Sequence, residues 1–261
     1  MTFLLSKSKF IGFISVVMMA AFAAWAMNVG RIATPAGWFL EQTREAGIVL
    51  DTLTIKGASK TRHSDILAAL DVDDGMPMLA MNLDSMRAKL EALPWIKTAK
   101  ISRSFPGELI VEIVERTPFA IWQNEGAFGL VDVTGHVITA QGLKAFDEMI
   151  LIVGKGAPQA AVELQQILEL EPSLRANLRS AIRVSARRWD MQFKNGIRVK
   201  LPEYTSNYSA LSAWQRFASL EEEYHLLARE LNIVDMRLKD RLVVSVTERG
   251  RLQMRGLEWV T

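Results

Sequence analysis

An uncharged apolar span near the N-terminus constrains this chain more than any other feature. Residues 10–29 read FIGFISVVMMAAFAAWAMNV and contain no charged side chain. About 20 helical residues suffice to cross the hydrocarbon core of a bilayer, which is about 30 Å thick. Lys7 and Lys9 precede the span in a tail without acidic residues, so the positive-inside bias predicts a cytoplasmic tail. The span therefore predicts one transmembrane helix, with the rest of the chain outside the cytoplasm.

A cleaved signal peptide is the alternative interpretation of the same span. Ala24-Trp25-Ala26 has the small-x-small form of a cleavage site, and the preceding tail is basic. However, the apolar run continues to Val29, beyond the roughly 7–15 residues of a signal-peptide core. The length of the run therefore favours an uncleaved anchor.

Composition and motifs limit the chemistry of the remaining chain. Its 261 residues are enough for about two domains of roughly 100–200 residues each. A net charge of +2 gives no sign of the clustered basic face that nucleic-acid binding needs. There is no cysteine, which excludes thiol catalysis, thiolate metal sites and disulfides. Hydrolase, zinc-protease and phosphate-loop motifs do not occur, so we predict no catalytic, cofactor-binding or metal-binding residue and no enzyme activity.

A strand and two helices are predicted between residues 49 and 94. Leu53 and Ile55 alternate with polar residues, which indicates a half-buried strand that ends at Gly57. One helix is predicted to begin at Ser64-Asp65, and a second to begin after Asn82, a favourable N-cap residue. The apolar side chains expected to face the core are Ile66, Leu67 and Leu70 in the first helix and Leu83, Met86, Leu90 and Leu93 in the second.

A β-hairpin follows these helices. Ala99 and Ile101 alternate with polar residues in one strand, and residues 109–114 form the other. Phe105-Pro106-Gly107-Glu108 is the predicted turn between them. The order strand–helix–helix–strand–strand predicts a small α+β domain, in which both helices cover one face of a three-stranded sheet.

Two runs of residues at fixed spacings carry a resemblance to a known family. The first is GIVLDTLTIKG at residues 47–57. The second comprises Leu93-Pro94-Trp95-Ile96, Ala99, Ile101, Arg103, Phe105-Pro106, Leu109, Val111, Ile113, Glu115-Arg116, Pro118, Ala120 and Trp122, and it continues in Leu130-Val131-Asp132, Gly135 and Val137-Ile138. These residues, behind one transmembrane helix, resemble the FtsQ/DivIB family of bacterial cell division proteins and its POTRA domain. The cytoplasmic tail is shorter than in many members of that family.

Strand and turn patterns dominate the predicted second domain. The sharpest hairpin joins residues 189–193 to residues 197–201 through Asn195-Gly196, for which a type I′ turn is predicted. Helices are predicted near residues 160–170 and 173–181, and a longer one from about Ser209 to Glu230. The spacing of Ala213, Phe217 and Leu220 in this last helix fits either a core helix or a short coiled-coil seam. The other predicted strands are residues 119–122, 128–131, 137–139, 149–153, 233–238 and 241–247.

The predicted organisation is therefore α+β, with one N-terminal transmembrane helix, a POTRA domain and a mostly antiparallel β domain that carries a long helix. Its segments are a cytoplasmic tail (1–9), the transmembrane helix (10–29), a juxtamembrane segment (30–48), the POTRA domain (49–117), the β domain (118–250) and a C-terminal tail (251–261).

The last predicted strand is the leading candidate for a binding site. Nothing after it in the chain is predicted to pair with its outer side, and it carries no proline and only Arg241 at its start to protect a free edge. A partner strand is therefore the expected cover; the alternative is that this strand lies inside the sheet. The residues of this candidate edge are Arg241, Leu242, Val243, Val244, Ser245 and Val246, and the candidates for additional partner contacts are Arg187, Arg188, Ile233 and Arg237.

The resemblance implies a function in binding. It implies a bitopic inner-membrane scaffold at the division septum, which recruits division proteins through periplasmic contacts. It also implies coiled-coil partners of the FtsB and FtsL kind, bound at the last strand of the β domain. A secreted POTRA-type chaperone or outer-membrane transport component is the alternative, although repeated POTRA units or a downstream barrel would then be expected. An anchored periplasmic hydrolase is a further alternative that lacks a catalytic motif.

Overall fold

The computed structural model describes residues 43–44, 47–205 and 207–252. The predicted transmembrane helix, the cytoplasmic tail and most of the juxtamembrane segment lie outside the described residues. Within the described ranges, no helix combines the length and the apolar character needed to span a bilayer. The chain divides into two compact units between Glu115 and Arg116, and each unit has its own apolar core.

The first unit has the predicted order of strand, two helices and hairpin. Its elements are β1 (Thr52–Lys56), α1 (His63–Leu70), α2 (Leu83–Glu91), β2 (Ile96–Ser104) and β3 (Glu108–Glu115), with a 3-10 turn at Met78–Ala80. The strands lie in the order β1-β3-β2, in which β3 pairs in parallel with β1 and antiparallel with β2. This arrangement confirms the α+β prediction for the first unit.

Local signals account for the helices of the first unit. The Asn82 side chain accepts a hydrogen bond from the backbone N–H of Ser85 at 3.0 Å, so the predicted N-cap of α2 is confirmed. Leu90 of α2 and Val111 of β3 are completely buried in one cluster, as predicted. The prediction for Leu67 was wrong, because 41% of this residue is exposed while Ile66 and Leu70 occupy the buried side of α1.

The second unit is a nine-stranded mixed sheet with helices. Its elements are β4 (Pro118–Asn124), β5 (Ala127–Asp132), β6 (Val137–Thr139), β7 (Leu151–Val153), α3 (Ala161–Leu170), α4 (Pro172–Ala176), β8 (Leu178–Val184), β9 (Arg188–Phe193), β10 (Arg198–Lys200), α5 (Ala210–Tyr224), β11 (Leu231–Asp235) and β12 (Val243–Val246). Short 3-10 turns lie at Leu143–Phe146, Pro158–Ala160 and Leu226–Ala228. The strand order is β12-β11-β10-β9-β8-β7-β4-β5-β6. The pairs β4–β7, β7–β8 and β10–β11 are parallel and the others are antiparallel. Most pairs are therefore antiparallel, as predicted.

The core of the second unit lies on one face of this sheet. A row of side chains at the same level of neighbouring strands faces the helices, and its buried members are Ile152, Ala181, Met191, Val199 and Val234. Trp214 and Phe217 of α5 are fully buried in the same cluster and stack with a centroid distance of 5.6 Å. The prediction of a core helix is therefore confirmed, and the coiled-coil interpretation was wrong.

Two helix predictions in the second unit extended too far. The predicted helix over residues 173–181 ends at Ala176, and Leu178–Val184 is the strand β8. Pairing with β7 and β9 on both sides overrides the helical pattern there. The predicted helix to Glu230 ends at Tyr224, because His225 adopts a left-handed conformation with φ of 51°.

The hairpin around Asn195-Gly196 was predicted correctly, but its turn type was wrong. The backbone N–H of Gly196 donates to the carbonyl of Phe193, and Phe193 N–H in turn donates to Ile197. Gly196 has a φ of 95°, whereas Asn195 is not among the residues with positive φ. This pattern is a three-residue loop with a bulge, in which only the glycine needs the left-handed region.

Candidate partner-binding edge

The strand β12 is one of the two outer strands of the nine-stranded sheet. It pairs with β11 alone, antiparallel, with a register shift between Leu231 and Ile233. Residues 248–252 are helical, so no described segment after β12 adds another strand. The edge position predicted for the last strand is therefore confirmed. Its predicted start was wrong, because Arg241 and Leu242 lie outside the strand and Leu242 packs against the core.

The pairing pattern shows which backbone groups of β12 face outward. Met236 N–H donates to Lys200 on β10, so the alternate residues Ile233 and Asp235 of β11 point toward β12. They pair with Ser245 and Val243, whose backbone groups therefore point inward. The N–H and C=O groups of Val244 and Val246 face away from the sheet.

The side chains of this edge are unusually apolar for a free strand. Val243 is 50% exposed and Val244 is 45% exposed, on opposite faces of the sheet. Val244 pairs with Val234, so its side chain lies on the face of the sheet that carries the helices, next to the last buried side chain of the row described above. Arg241 precedes the strand and pairs with Asp240, but both side chains are largely exposed and the pair contributes little.

Arg188 and Arg237, separated by 48 residues in sequence, line one shallow pocket of about 460 Å³ beside the strands β9 to β11. Arg237 donates to both carboxylate oxygens of Asp235, with Nη2 and Oδ2 at 2.6 Å. Arg188 contacts the buried carboxylate of Asp190 at 3.4 Å. Hydrogen bonding from Arg237 outweighs burial and lowers the pKa of Asp235. Both arginines are thus held in place by carboxylates while part of each guanidinium remains exposed.

The other two candidate contact residues lie apart from this pocket. Arg187 is exposed and reaches Glu203 at 3.8 Å. Ile233 is half-buried on β11, opposite Ser245 of β12. Sequence reasoning missed the seven other residues that line the pocket, which are Pro202, Glu203, Thr205, Asn207, Tyr208, Leu238 and Lys239. They lie outside the helices and strands named above. Leu238 was predicted to lie in a strand over residues 233–238, but β11 ends at Asp235.

Family profiles match both units of the chain. The profile described as the C-terminal part of the cell division protein FtsQ/DivIB matches residues 120–237, and the FtsQ-type POTRA domain matches residues 50–116. A cell division protein FtsQ from Bartonella bacilliformis is 32% identical over 215 residues, which is 81% of this chain and 68% of that protein. This chain belongs to the FtsQ/DivIB family. The resemblance carried by residues 47–57 and 93–122 is thereby confirmed.

Other FtsQ proteins match over a similar region. The protein from Bradyrhizobium diazoefficiens is 34% identical over 203 residues, 78% of this chain and 58% of its own length. The protein from Zymomonas mobilis is 36% identical over 179 residues, 67% of this chain and 56% of its own length. The match thus spans somewhat more than half of these two relatives. A role in cell division is what the FtsQ family membership establishes for this chain.

Glu115, one of the residues that carry the FtsQ resemblance, fixes a loop of the first unit. Its carboxylate accepts hydrogen bonds from the backbone N–H groups of Ser59, Lys60 and Thr61 and from two hydroxyls. Burial raises the pKa of Glu115, but the hydrogen bonds from Thr61, Lys60 and Ser59 outweigh it and lower the pKa to about 2. The charged form is thus the one that holds the loop.

We expect this carboxylate to make the stability of the first unit pH-dependent. The folded-state pKa of about 2 lies below the ordinary glutamate pKa of 4.5, so the stabilisation is complete above pH 4.5 and declines as the pH falls toward 2. In urea unfolding of residues 31–261, Glu115→Gln should lower the midpoint at pH 7 and reduce its fall between pH 7 and pH 3. Glu112→Gln, on the same strand, should keep the wild-type pH dependence. Equal pH dependence in wild type and Glu115→Gln would contradict the assignment.

Arg116, the next residue of the same motif, fixes a turn of the second unit. Its Nη1 donates to Asp132 at 2.8 Å, and the same carboxylate accepts from the backbone N–H groups of Thr134 and His136. Burial raises the pKa of Asp132, but hydrogen bonds from Thr134, Arg116 and His136 lower it overall. Gly135 completes the turn at φ of 84°, where an added Cβ would lie 2.3 Å from the Pro158 carbonyl oxygen. Asp132 and Gly135 of the motif therefore have a structural role in this turn.

Proposed function

We propose that this chain is a bitopic inner-membrane scaffold of the division machinery, which recruits and links division proteins at the septum through periplasmic contacts. Family membership supports the role in division, and the unprotected outer strand β12 is the observation that carries the binding role. The proposal places binding, and not catalysis, at the centre of the function. Its partners are coiled-coil division proteins of the FtsB and FtsL kind.

The proposed mode of binding is addition of a partner strand to β12. Val244 and Val246 offer outward N–H and C=O groups to such a strand. Main-chain hydrogen bonds supply affinity in this mode, and alternate side chains supply specificity. A partner side chain on one face would contact Val243, and one on the other face would contact Val244, so both exposed valines would be covered.

Charge near the edge supports a second contact with the same partner. The pocket that Arg188 and Arg237 share is also lined by Lys239 and by Glu203, and the carboxylate of Glu203 lies 3.8 Å from Arg187. Acidic side chains that flank the partner strand would therefore find cations already oriented by Asp190 and Asp235. Arg187 pairs with Glu203, which lines the pocket, and Ile233 pairs with Ser245 of β12, so both would extend the contact.

The apolar span supports the proposed topology. Residues 10–29 are long enough for one crossing, and the basic tail before them favours a cytoplasmic N-terminus. The two described units would then lie in the periplasm.

One capture experiment tests both the partners and the anchor. The full-length chain, tagged at its C-terminus, is crosslinked in dividing cells, purified from solubilised membranes and analysed by mass spectrometry. We expect FtsB-like and FtsL-like proteins among the crosslinked species and an N-terminal peptide that starts at residue 1 or 2. Recovery without either protein would contradict the scaffold proposal, and a mature N-terminus at Met27 would contradict the anchor.

A further inference from the structure

The first unit has its own free strand edge, and it is longer than that of β12. β2 spans nine residues and pairs with β3 alone. The carbonyl oxygen of Gly107 accepts hydrogen bonds from the backbone N–H groups of Asp51 and Thr52, so it points toward β1. The backbone groups of the alternate residues Glu108 and Glu112 of β3 therefore point toward β2. By the alternation of an antiparallel pair, the backbone groups of Ala99, Ile101 and Arg103 face outward.

A glutamate side chain accepts the hydrogen bond of the first of these outward N–H groups. The Oε1 atom of Glu91, the last residue of α2, accepts the hydrogen bond of Ala99 N–H at 3.1 Å. A strand that pairs with β2 would need this N–H as a hydrogen-bond donor. The carboxylate cannot replace it, because a carboxylate only accepts hydrogen bonds and so cannot bind the carbonyl oxygens of the new strand. At the other end of β2, Arg103 donates to the carbonyl oxygens of Met78 and Met81 and holds their turn beside the strand.

The edges at β2 and β12 therefore differ in their protection. No side chain among the described residues accepts a hydrogen bond from the outward N–H of Val244 or Val246 on β12. On β2, a charged acceptor is built into the adjacent helix. Natural sheets use charged side chains in this way to prevent pairing between edges.

We propose that Glu91 closes the β2 edge to a second copy of this chain and so prevents self-association of the first unit. Two copies related by a two-fold axis through Ile101 would place Ala99 opposite Arg103 and Lys100 opposite Ser102. That register places no like charges directly opposite each other. Pairing in this register needs the Ala99 N–H of both copies as a donor. In each copy, Glu91 already accepts the hydrogen bond of that N–H.

A single cysteine can report this pairing, because the chain has none of its own. In the two-fold register, the residues at position 102 of the two copies are diagonal neighbours roughly 7–8 Å apart, within reach of a short bismaleimide. The full-length Ser102→Cys chain should give almost no crosslinked dimer in detergent. Ser102→Cys with Glu91→Ala should give at least about tenfold more, since two hydrogen bonds become available by symmetry.

Two further variants separate edge protection from a merely structural role. Glu91→Gln keeps an acceptor for Ala99 N–H, so it should crosslink much less than Glu91→Ala. Val114→Cys with Glu91→Ala places the thiol on the central strand β3, too far from its copy to be bridged, and should give no dimer. A dimer yield for Glu91→Ala equal to that of the parent, or efficient crosslinking of the parent itself, would overturn the proposal. Circular dichroism of each variant checks that the first unit is folded.

Discussion

Proline at Val244 should abolish partner recruitment while the second unit remains folded. The N–H of Val244 faces away from β11, so its loss removes no hydrogen bond from the folded chain. An added partner strand would lose this donor, and its carbonyl group would be left without a partner in the new interface. The combined cost is about 3 kcal/mol, which corresponds to about a hundredfold weaker binding.

Proline at the neighbouring Val243 is the matched control. The backbone of Val243 pairs with Asp235, so this substitution breaks a hydrogen bond of the existing ladder. Both positions carry exposed valines, so the two variants lose similar side chains. They differ in the hydrogen bond that is lost, which points toward β11 at Val243 and toward the proposed partner strand at Val244. We expect Val243→Pro to lower the thermal midpoint of the second unit, and Val244→Pro to change it little.

Binding and folding are measured separately in this comparison. A pull-down with the periplasmic segment of an FtsB-like protein reports binding, and circular dichroism reports the fold. A folded Val244→Pro variant that binds the partner as wild type does would exclude strand addition at β12. A Val243→Pro variant with an unchanged melting curve would show that the inward and outward assignments are reversed.

The parts of the fold that were predictable from sequence depend on contacts between close neighbours. The cap of α2 by Asn82 joins residues three apart, and the turn at Asn195-Gly196 is marked by its own residues. The type of that turn was not predictable in the same way. The Asn195 side chain donates to the carbonyl oxygen of Leu227, a contact set by the tertiary fold.

Errors in the element boundaries have the same origin. The residues of β8 alternate poorly, and they form a strand because β7 and β9 provide partners on both sides. The end of α5 depends on a left-handed His225, whose side chain gives no stop signal of the kind that glycine provides.

The candidate site was predictable in one part and not in another. The edge position of the last strand was predictable because the polar residues 248–251 after it have no strand pattern. The shared pocket of Arg188 and Arg237 depends on the order β9-β10-β11, in which β11 joins β10 in parallel after the long helix α5. No periodicity in one segment reports such a non-local connection.

Aspartate at Val111 should unfold the first unit. Val111 is completely buried between β1 and β2, in the cluster that contains Leu90. A carboxylate at this position would lie in an apolar environment without a cation or a donor to satisfy it. Burial of an unpaired charge costs several kcal/mol, which is comparable with the roughly 5–15 kcal/mol that stabilises a whole domain.

Val114→Asp provides the matched control for this prediction. Val114 lies three residues further along β3 on the opposite face, and 56% of it is exposed, so its substitution should change stability by less than about 0.5 kcal/mol. Limited proteolysis of residues 31–261 should cleave the Val111→Asp variant from about residue 49 onward and leave a resistant fragment from the second unit, because that unit has a separate core. The Val114→Asp variant should resist as wild type does. If Val111→Asp has an unchanged melting curve and resists the protease, Val111 is not in the core of the first unit, and the facing assigned to every residue of β3 must be reversed.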